Sequence, residues 1–295
     1  MELHGLISAM VTPFEPGENG AVDETRLRSL VEETIAGGVH GIVPNGSTGE
    51  FPTQSFDERR QVVEITLDQV AGRVPVVPHI GAMTAGEAIR LGRHAEELGA
   101  AAVMVVSPYY EPLDLEETKD YYRRVAGALS VPVMVYNLPV ATGVNLAPSE
   151  VAALAREVET IRYVKDTSGD FNQGCELIHG YGDVIKTFVG LDTLYFAALA
   201  EGGAGSVNGA ANFIAPELAA VYDATRAGDV ETAGKVWASA YPVMKFLVSG
   251  GYVAGVKGAM DVIGRSAGDP RLPIHPLSDE RRAEFGRIWQ TLQAG

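Results

Sequence analysis

Apolar residues recur along this chain in short runs, separated by longer stretches with helical spacing. Runs at 6–11, 41–43, 74–77, 101–106, 133–136, 161–164, 184–189 and 205–207 predict eight buried strands. The stretches between them have readable ends. Asp23, Ser55 and Thr84 can cap helices reaching about 36, 70 and 98, and glycines at 37, 38 and 99 stop the first and third. Further helices are predicted over about 115–129, from Pro148 to about 158, and from about Phe171. Buried strands alternating with helices imply a parallel sheet. Eight such units in about 220 residues imply a (β/α)8 TIM barrel. A doubly wound open sheet is the rival, but it wants a phosphate fingerprint at the first strand–helix turn, which this sequence lacks. From about Pro216 the chain reads as helical, with a proline-rich break at 270–276. The expected organisation is a catalytic barrel domain over 1–220 and a C-terminal helical extension over 221–295, packed on the barrel or on another subunit.

Composition narrows the class of partner. The chain has 295 residues, is 46% hydrophobic and 21% charged, and contains 34 glycines, as an ordinary globular domain would. Its net charge of -15 speaks against nucleic acid. A single cysteine, Cys175, excludes an intramolecular disulfide and falls in a predicted helix, where packing is the simpler role. The first residues lack the basic and apolar regions of a secretory signal, and no apolar run reaches the length of a membrane span. A cytoplasmic protein with no membrane association is expected.

The ends of the strands carry the candidate chemistry, because barrels of this type place their sites where strands pass into helices. The stretch Tyr163-Val164-Lys165-Asp166-Thr167-Ser168-Gly169-Asp170 puts a lysine at the end of an apolar strand. Burial disfavours an ammonium, and a neutral amine is what attacks a carbonyl carbon. A Schiff-base lysine is one reading; a lysine paired with Asp166 or reaching solvent is the other. Of six lysines, only Lys165 falls at the carboxyl end of a predicted barrel strand. Lys186 comes early in its strand, Lys119 and Lys235 lie in polar helices, and Lys257 lies outside the predicted barrel.

Other turns add polar groups. Gly46-Ser47-Thr48-Gly49-Glu50 offers free backbone N–H groups and two hydroxyls, suited to an anion. Tyr109, Tyr110 and Tyr136 follow or end strands and could move protons, although a packed aromatic is the simpler role for each taken singly. Six scattered histidines show no metal-ligand spacing; His79 follows the third predicted strand. No Gly-x-Ser-x-Gly elbow occurs, and the glycine-rich run 202–209 lacks the basic residues a phosphate site would want.

These motifs together resemble the dihydrodipicolinate synthase and N-acetylneuraminate lyase family of pyruvate-handling barrel enzymes. The resemblance runs nearly end to end. It rests on Gly46-Ser47-Thr48-Gly49-Glu50, Ser107-Pro108-Tyr109-Tyr110, Tyr136-Asn137-Leu138-Pro139, Val164-Lys165-Asp166 and Arg271-Leu272-Pro273. It implies that Lys165 condenses with the keto group of pyruvate or another 2-keto acid and that Tyr136 is the adjacent acid/base. It implies that Ser47 and Thr48 bind the carboxylate, that Tyr110 enters a neighbouring subunit's site, and that Gly190 and Val207 line the pocket. A homotetramer built as a dimer of dimers is implied, with no metal and no organic cofactor.

Departures from the family bear on the second substrate. The lysine-pathway synthases carry an arginine for the aldehyde's carboxylate where this chain has Ala141. Thr167, Asp192 and Ser206 fall where the sialic acid lyases bind the sugar chain, but Thr193 stands where those lyases place a second acid. The leading expectation is a class I Schiff-base lyase joining pyruvate to an aldehyde or cleaving the product, acting on a 2-keto-3-deoxy sugar acid or a sialic-acid-like substrate. A dehydratase of such an acid, the lysine-pathway synthase and, from a different class, a non-catalytic keto-acid binder are the alternatives.

Overall fold

The computed structural model describes residues 2–17, 20–111 and 113–294. In chain order the elements begin β1 (Gly5–Ala9), α1 (Glu24–Ala36), β2 (Gly41–Val43), α2 (Phe56–Val70), α3 (Ala85–Glu97), β3 (Val103–Val106) and α4 (Leu115–Ala126). They continue with β4 (Val133–Asn137), α5 (Pro139–Thr142), α6 (Pro148–Glu157), β5 (Ile161–Asp166), α7 (Phe171–Tyr181), β6 (Lys186–Val189), α8 (Tyr195–Ala200) and β7 (Gly205–Asn208). Four helices close the chain: α9 (Ala215–Arg226), α10 (Val230–Val248), α11 (Tyr252–Val262) and α12 (Asp279–Ala294). This is the (β/α)8 TIM-barrel class expected from the sequence, with seven strands formed among the described residues and the C-terminal helices present.

The helix starts follow local chemistry. The Asp23 side chain accepts from Arg26 N, Thr84 from Glu87 N, and Asp170 from Asn172 N, each satisfying an N–H that the first turn leaves open. Ser55 and Glu58 form a reciprocal capping box at α2. Pro148 occupies the first turn of α6, where its missing N–H costs nothing.

The chain forms two compact units, one built on Pro75–Val207 and the other on Gly5–Val74 with Asn208–Gly295. In the first, β3 to β7 pair in parallel in chain order, with Tyr136 opposite Lys165, Asn137 opposite Asp166 and Lys165 opposite Phe188. Apart from the exposed Arg162 and Lys186, every residue of β3 to β7 is buried, as strands covered on both faces require. The strand expected at 74–77 is not formed. Isolated bridges mark its place, one at Val76 and a parallel one between His79 and Met104, with Ala101 N donating to Val76 O and Met104 N to Pro78 O. Pro75 and Pro78 have no N–H to give a ladder, so the segment accepts bonds but donates few. The lysine strand is also longer than expected and runs through Asp166.

In the second unit β1 and β2 pair in parallel, Ile7 opposite Gly41. Asn212 ties the end of β1 to the turn before α9: its side chain accepts from Val11 N and donates to Ala9 O. Phe285 of α12 is fully buried against Phe213, Phe246 and Trp289, which packs the last helices into this unit.

Candidate active site

Lys165 lies one residue from the carboxyl end of β5 and is only 5% exposed. Its Nζ sits 4.0 Å from the centre of the Tyr136 ring, the residue directly opposite it on β4. The pairing with Asp166 left open by the sequence is not formed. The Asp166 carboxylate accepts from Asn137 Nδ2 (2.8 Å), Gln173 Nε2 (3.0 Å) and Ser168 Oγ (2.7 Å). Strand geometry gives the reason, since neighbouring side chains point to opposite faces. Asp166 braces the loop outside the strand, and Lys165 faces the other way. Asn137 extends the brace by accepting from Leu146 N and donating to Asn145 Oδ1.

Gly190 follows β6 and packs against the lysine. A Cβ built there would lie 2.6 Å from Lys165 Cε and 2.0 Å from Thr167 Oγ1, so only glycine fits. This brings Lys165, Tyr136, Thr167 and Gly190 together. Thr167 Oγ1 and Ser206 Oγ are buried without a hydrogen-bond partner among the described residues. Val207 and Asp192 are buried as well. His79 meets the Tyr136 ring edge-on with ring centres 6.3 Å apart. Beneath the tyrosine, the buried Tyr122 hydroxyl lies 3.3 Å from both Val105 O and Tyr136 O. Burial pushes the Tyr122 phenol well above its ordinary value, so it stays a donor. Tyr110 is 80% exposed, and Ala141 is exposed on the short helix α5.

In the second unit, Ser47 and Thr48 lie in the turn after β2, with Thr48 buried and Ser47 half-buried. Glu50 N donates to Ser47 O and Phe51 N to Gly46 O, closing the turn. Glu50 itself is buried in the left-handed conformation, φ 60°. Its carboxylate meets Lys257 Nζ at 2.6 Å and accepts from Arg271 N at 2.8 Å. Lys257 is equally buried, and desolvation holds its ammonium below the usual lysine value in spite of Glu50. The sequence reading set Lys257 aside and gave Glu50 no role. The one available signal was a lysine inside the apolar helix α11.

Among the described residues, no group of three or more His, Cys, Asp or Glu is placed to hold a metal ion, and no helix is long and apolar enough to cross a membrane. A buried lysine at the carboxyl end of a barrel strand, under a tyrosine and beside unpartnered hydroxyls, defines a class I Schiff-base lyase on a TIM barrel. The comparisons with known proteins specify the family. The profile of the dihydrodipicolinate synthetase family matches residues 2–292, and the chain belongs to that family. Among curated relatives, the 4-hydroxy-tetrahydrodipicolinate synthase of Pelobacter propionicus is 39% identical over 97% of this chain and 98% of its own length. Among solved structures, the chloride-inhibited dihydrodipicolinate synthase of Acinetobacter baumannii complexed with pyruvate matches with a TM-score of 0.94 at 30% identity, covering 99% of each chain. A prophage protein of the same family from E. coli K12, also in complex with pyruvate, matches at 0.93 and 30% identity, covering 98% of each.

Proposed function

We propose that this enzyme binds pyruvate as an imine on Lys165 and makes or breaks a carbon–carbon bond between pyruvate and an aldehyde. The observation that carries the reading is the buried Lys165 amine lying against the Tyr136 ring. The amine adds to the keto carbon of the 2-keto acid, and loss of water gives the imine. In the cleavage direction the electrons of the C3–C4 bond move into the imine, the aldehyde departs, and the enamine left behind is protonated at C3. Tyr136 takes the proton from the substrate hydroxyl as the aldehyde forms. The family resemblance assigns carboxylate binding to Ser47 and Thr48 and pocket lining to Gly190 and Val207. Two of the solved relatives were crystallised with pyruvate, which supports pyruvate as the keto acid. The homotetramer, with Tyr110 entering a neighbouring subunit's site, belongs to the same proposal. The large exposure of Tyr110 is consistent with it.

For the aldehyde, the side chains favour a hydroxylated partner, as in a 2-keto-3-deoxy sugar acid. Ala141 offers no charge, while Thr167 and Ser206 offer unpartnered hydroxyls. A second reading, 4-hydroxy-tetrahydrodipicolinate synthase, is favoured by the names of the curated relatives. An arginine at position 141 would supply charge-assisted hydrogen bonds to a carboxylate, each contributing on the order of 1.5–3 kcal/mol. The expected outcome is therefore a kcat/KM with pyruvate and aspartate semialdehyde roughly 10- to 150-fold below that with the best keto-deoxy sugar acid. Steady-state kinetics over a panel of both decides. If aspartate semialdehyde outperforms every sugar acid tested, the synthase reading replaces the sugar-acid one.

A further inference from the structure

We infer that Glu50 and Lys257 are positioning residues for the 46–49 turn: their buried ion pair fixes the backbone that carries Ser47 and Thr48, the residues to which the family resemblance assigns carboxylate binding. The inference rests on the functional reading above for the identity of the anion. Its structural basis stands apart from that reading.

The turn is bracketed by two residues in a conformation that L side chains rarely adopt, Asn45 at φ 59° and Glu50 at φ 60°. Among the described residues, only Ala71 shares this region without being glycine. Both brackets are anchored through buried side chains. Asn45 Nδ2 donates to Arg59 O at 2.7 Å, and the Glu50 carboxylate takes Lys257 Nζ at 2.6 Å and Arg271 N at 2.8 Å. The anchor for Glu50 is itself fixed independently of the turn. Lys257 Nζ donates to Asp269 O at 3.1 Å and lies 4.6 Å from the centre of the Phe14 ring. The Arg271 guanidinium is held by Glu58, Thr53 O and Gly20 O and lies 3.9 Å from the centre of the same ring.

Stability alone does not account for such a pair. Removing two charges from water costs about as much as their attraction returns, and an apolar pair of similar volume stabilises a fold as well or better. What an apolar pair lacks is direction. A carboxylate gripped on one oxygen by an ammonium and on the other by a backbone N–H has one orientation. Through it the Glu50 backbone, and the turn that ends on it, has one conformation. A site that receives an anion through backbone N–H groups depends on that conformation being set before the ligand arrives.

The test uses the full-length chain with two buried substitutions together, E50Q and K257M, which remove both charges so that neither is left buried alone. Pyruvate is titrated in the presence of borohydride, and the adduct on Lys165 is quantified by peptide mass mapping. Backbone hydrogen exchange is followed over residues 45–53. If the pair positions the turn, the double variant folds with a normal circular dichroism spectrum. The pyruvate concentration giving half-maximal adduct rises at least tenfold, the maximal trapping rate falls less, and exchange over 45–53 accelerates at least tenfold while α9 and α10 keep their protection. K257R, which keeps the charge, recovers part of the pyruvate response. A well-folded double variant with half-maximal trapping within twofold of wild type overturns the inference, whatever its exchange. A wild-type chain that gives no pyruvate adduct overturns the functional reading instead. The exchange over 45–53 then decides on its own whether the pair holds the turn.

Discussion

Two buried lysines in this chain solve opposite problems. Lys257, on α11, is surrounded by groups that consume its charge: the Glu50 carboxylate, the Asp269 carbonyl and the Phe14 ring face. Lys165, on β5, has an aromatic ring for a neighbour, and the carboxylate next to it in sequence is turned away and occupied by three other donors. A lysine whose hydrogen-bonding capacity is spent is fixed and chemically idle. A lysine left short of partners inside the protein has no neighbour that competes with a ligand for its Nζ. Burial alone therefore does not mark a catalytic lysine. The proposed role of Lys165 as the nucleophile rests on that difference in partners.

The comparison breaks most sharply under the same substitution at both positions. Lys165→Met removes the proposed nucleophile, so turnover should fall on the order of 10⁴-fold or more, as when other covalent nucleophiles are deleted. Because no ion pair is lost, its unfolding free energy should stay within about 1 kcal/mol of wild type. Lys257→Met leaves the Glu50 carboxylate buried and unpaired, which should cost about 3–5 kcal/mol of stability. Urea unfolding of both variants beside pyruvate-dependent turnover checks the contrast. If Lys165→Met is the more destabilised of the two, the partner inventory is not what separates their roles.

A smaller effect sharpens the Lys165 side. Tyr136→Phe keeps the ring against which the Lys165 side chain rests and removes the hydroxyl. A general acid/base contributes roughly 10²–10⁴-fold, so turnover should drop by that order. Borohydride trapping at saturating pyruvate should still mark Lys165, because the amine and its packing remain. A Phe variant with wild-type turnover would assign proton transfer to another group, with His79, edge-on to the same ring, the first to examine.

The uneven legibility of the sequence follows the range of the interactions involved. Caps were readable because Asp23, Ser55 and Thr84 act on N–H groups three residues away. Lys165 was readable because its position in an apolar strand is itself local information. The strand expected at 74–77 was misread because apolar content outweighed two prolines, and the ladder needs donors that Pro75 and Pro78 lack. Pairing of Lys165 with Asp166 looked natural in the linear sequence and fails on strand alternation. The Glu50–Lys257–Arg271 network left one local signal, a lysine in an apolar stretch, and no hint of its partners. Each of its members comes from a different part of the chain, and only folding makes them neighbours.

The smallest expected effect separates the edge of that network from its centre. The Arg271 guanidinium, helped by the Ser55 N–H, holds the Glu58 carboxyl below the usual carboxylate range. A carboxyl whose value is depressed on folding contributes stability above its unfolded value, near 4.5, and loses it as pH falls through the folded value. Glu58 is about a quarter exposed, so solvent screening limits the contribution to about 1 kcal/mol. In a chain of this size that is at most about 2–4 °C in Tm. Between pH 6 and pH 3.5 the Tm of the wild type should therefore fall by a degree or two more than that of Glu58→Gln, roughly the size that a partly exposed pair allows. The other titrating groups act on both proteins alike. Parallel melting curves over that range would mean that the Glu58–Arg271 pair adds nothing to stability, and that Arg271 is held by its bonds to Thr53 O and Gly20 O alone.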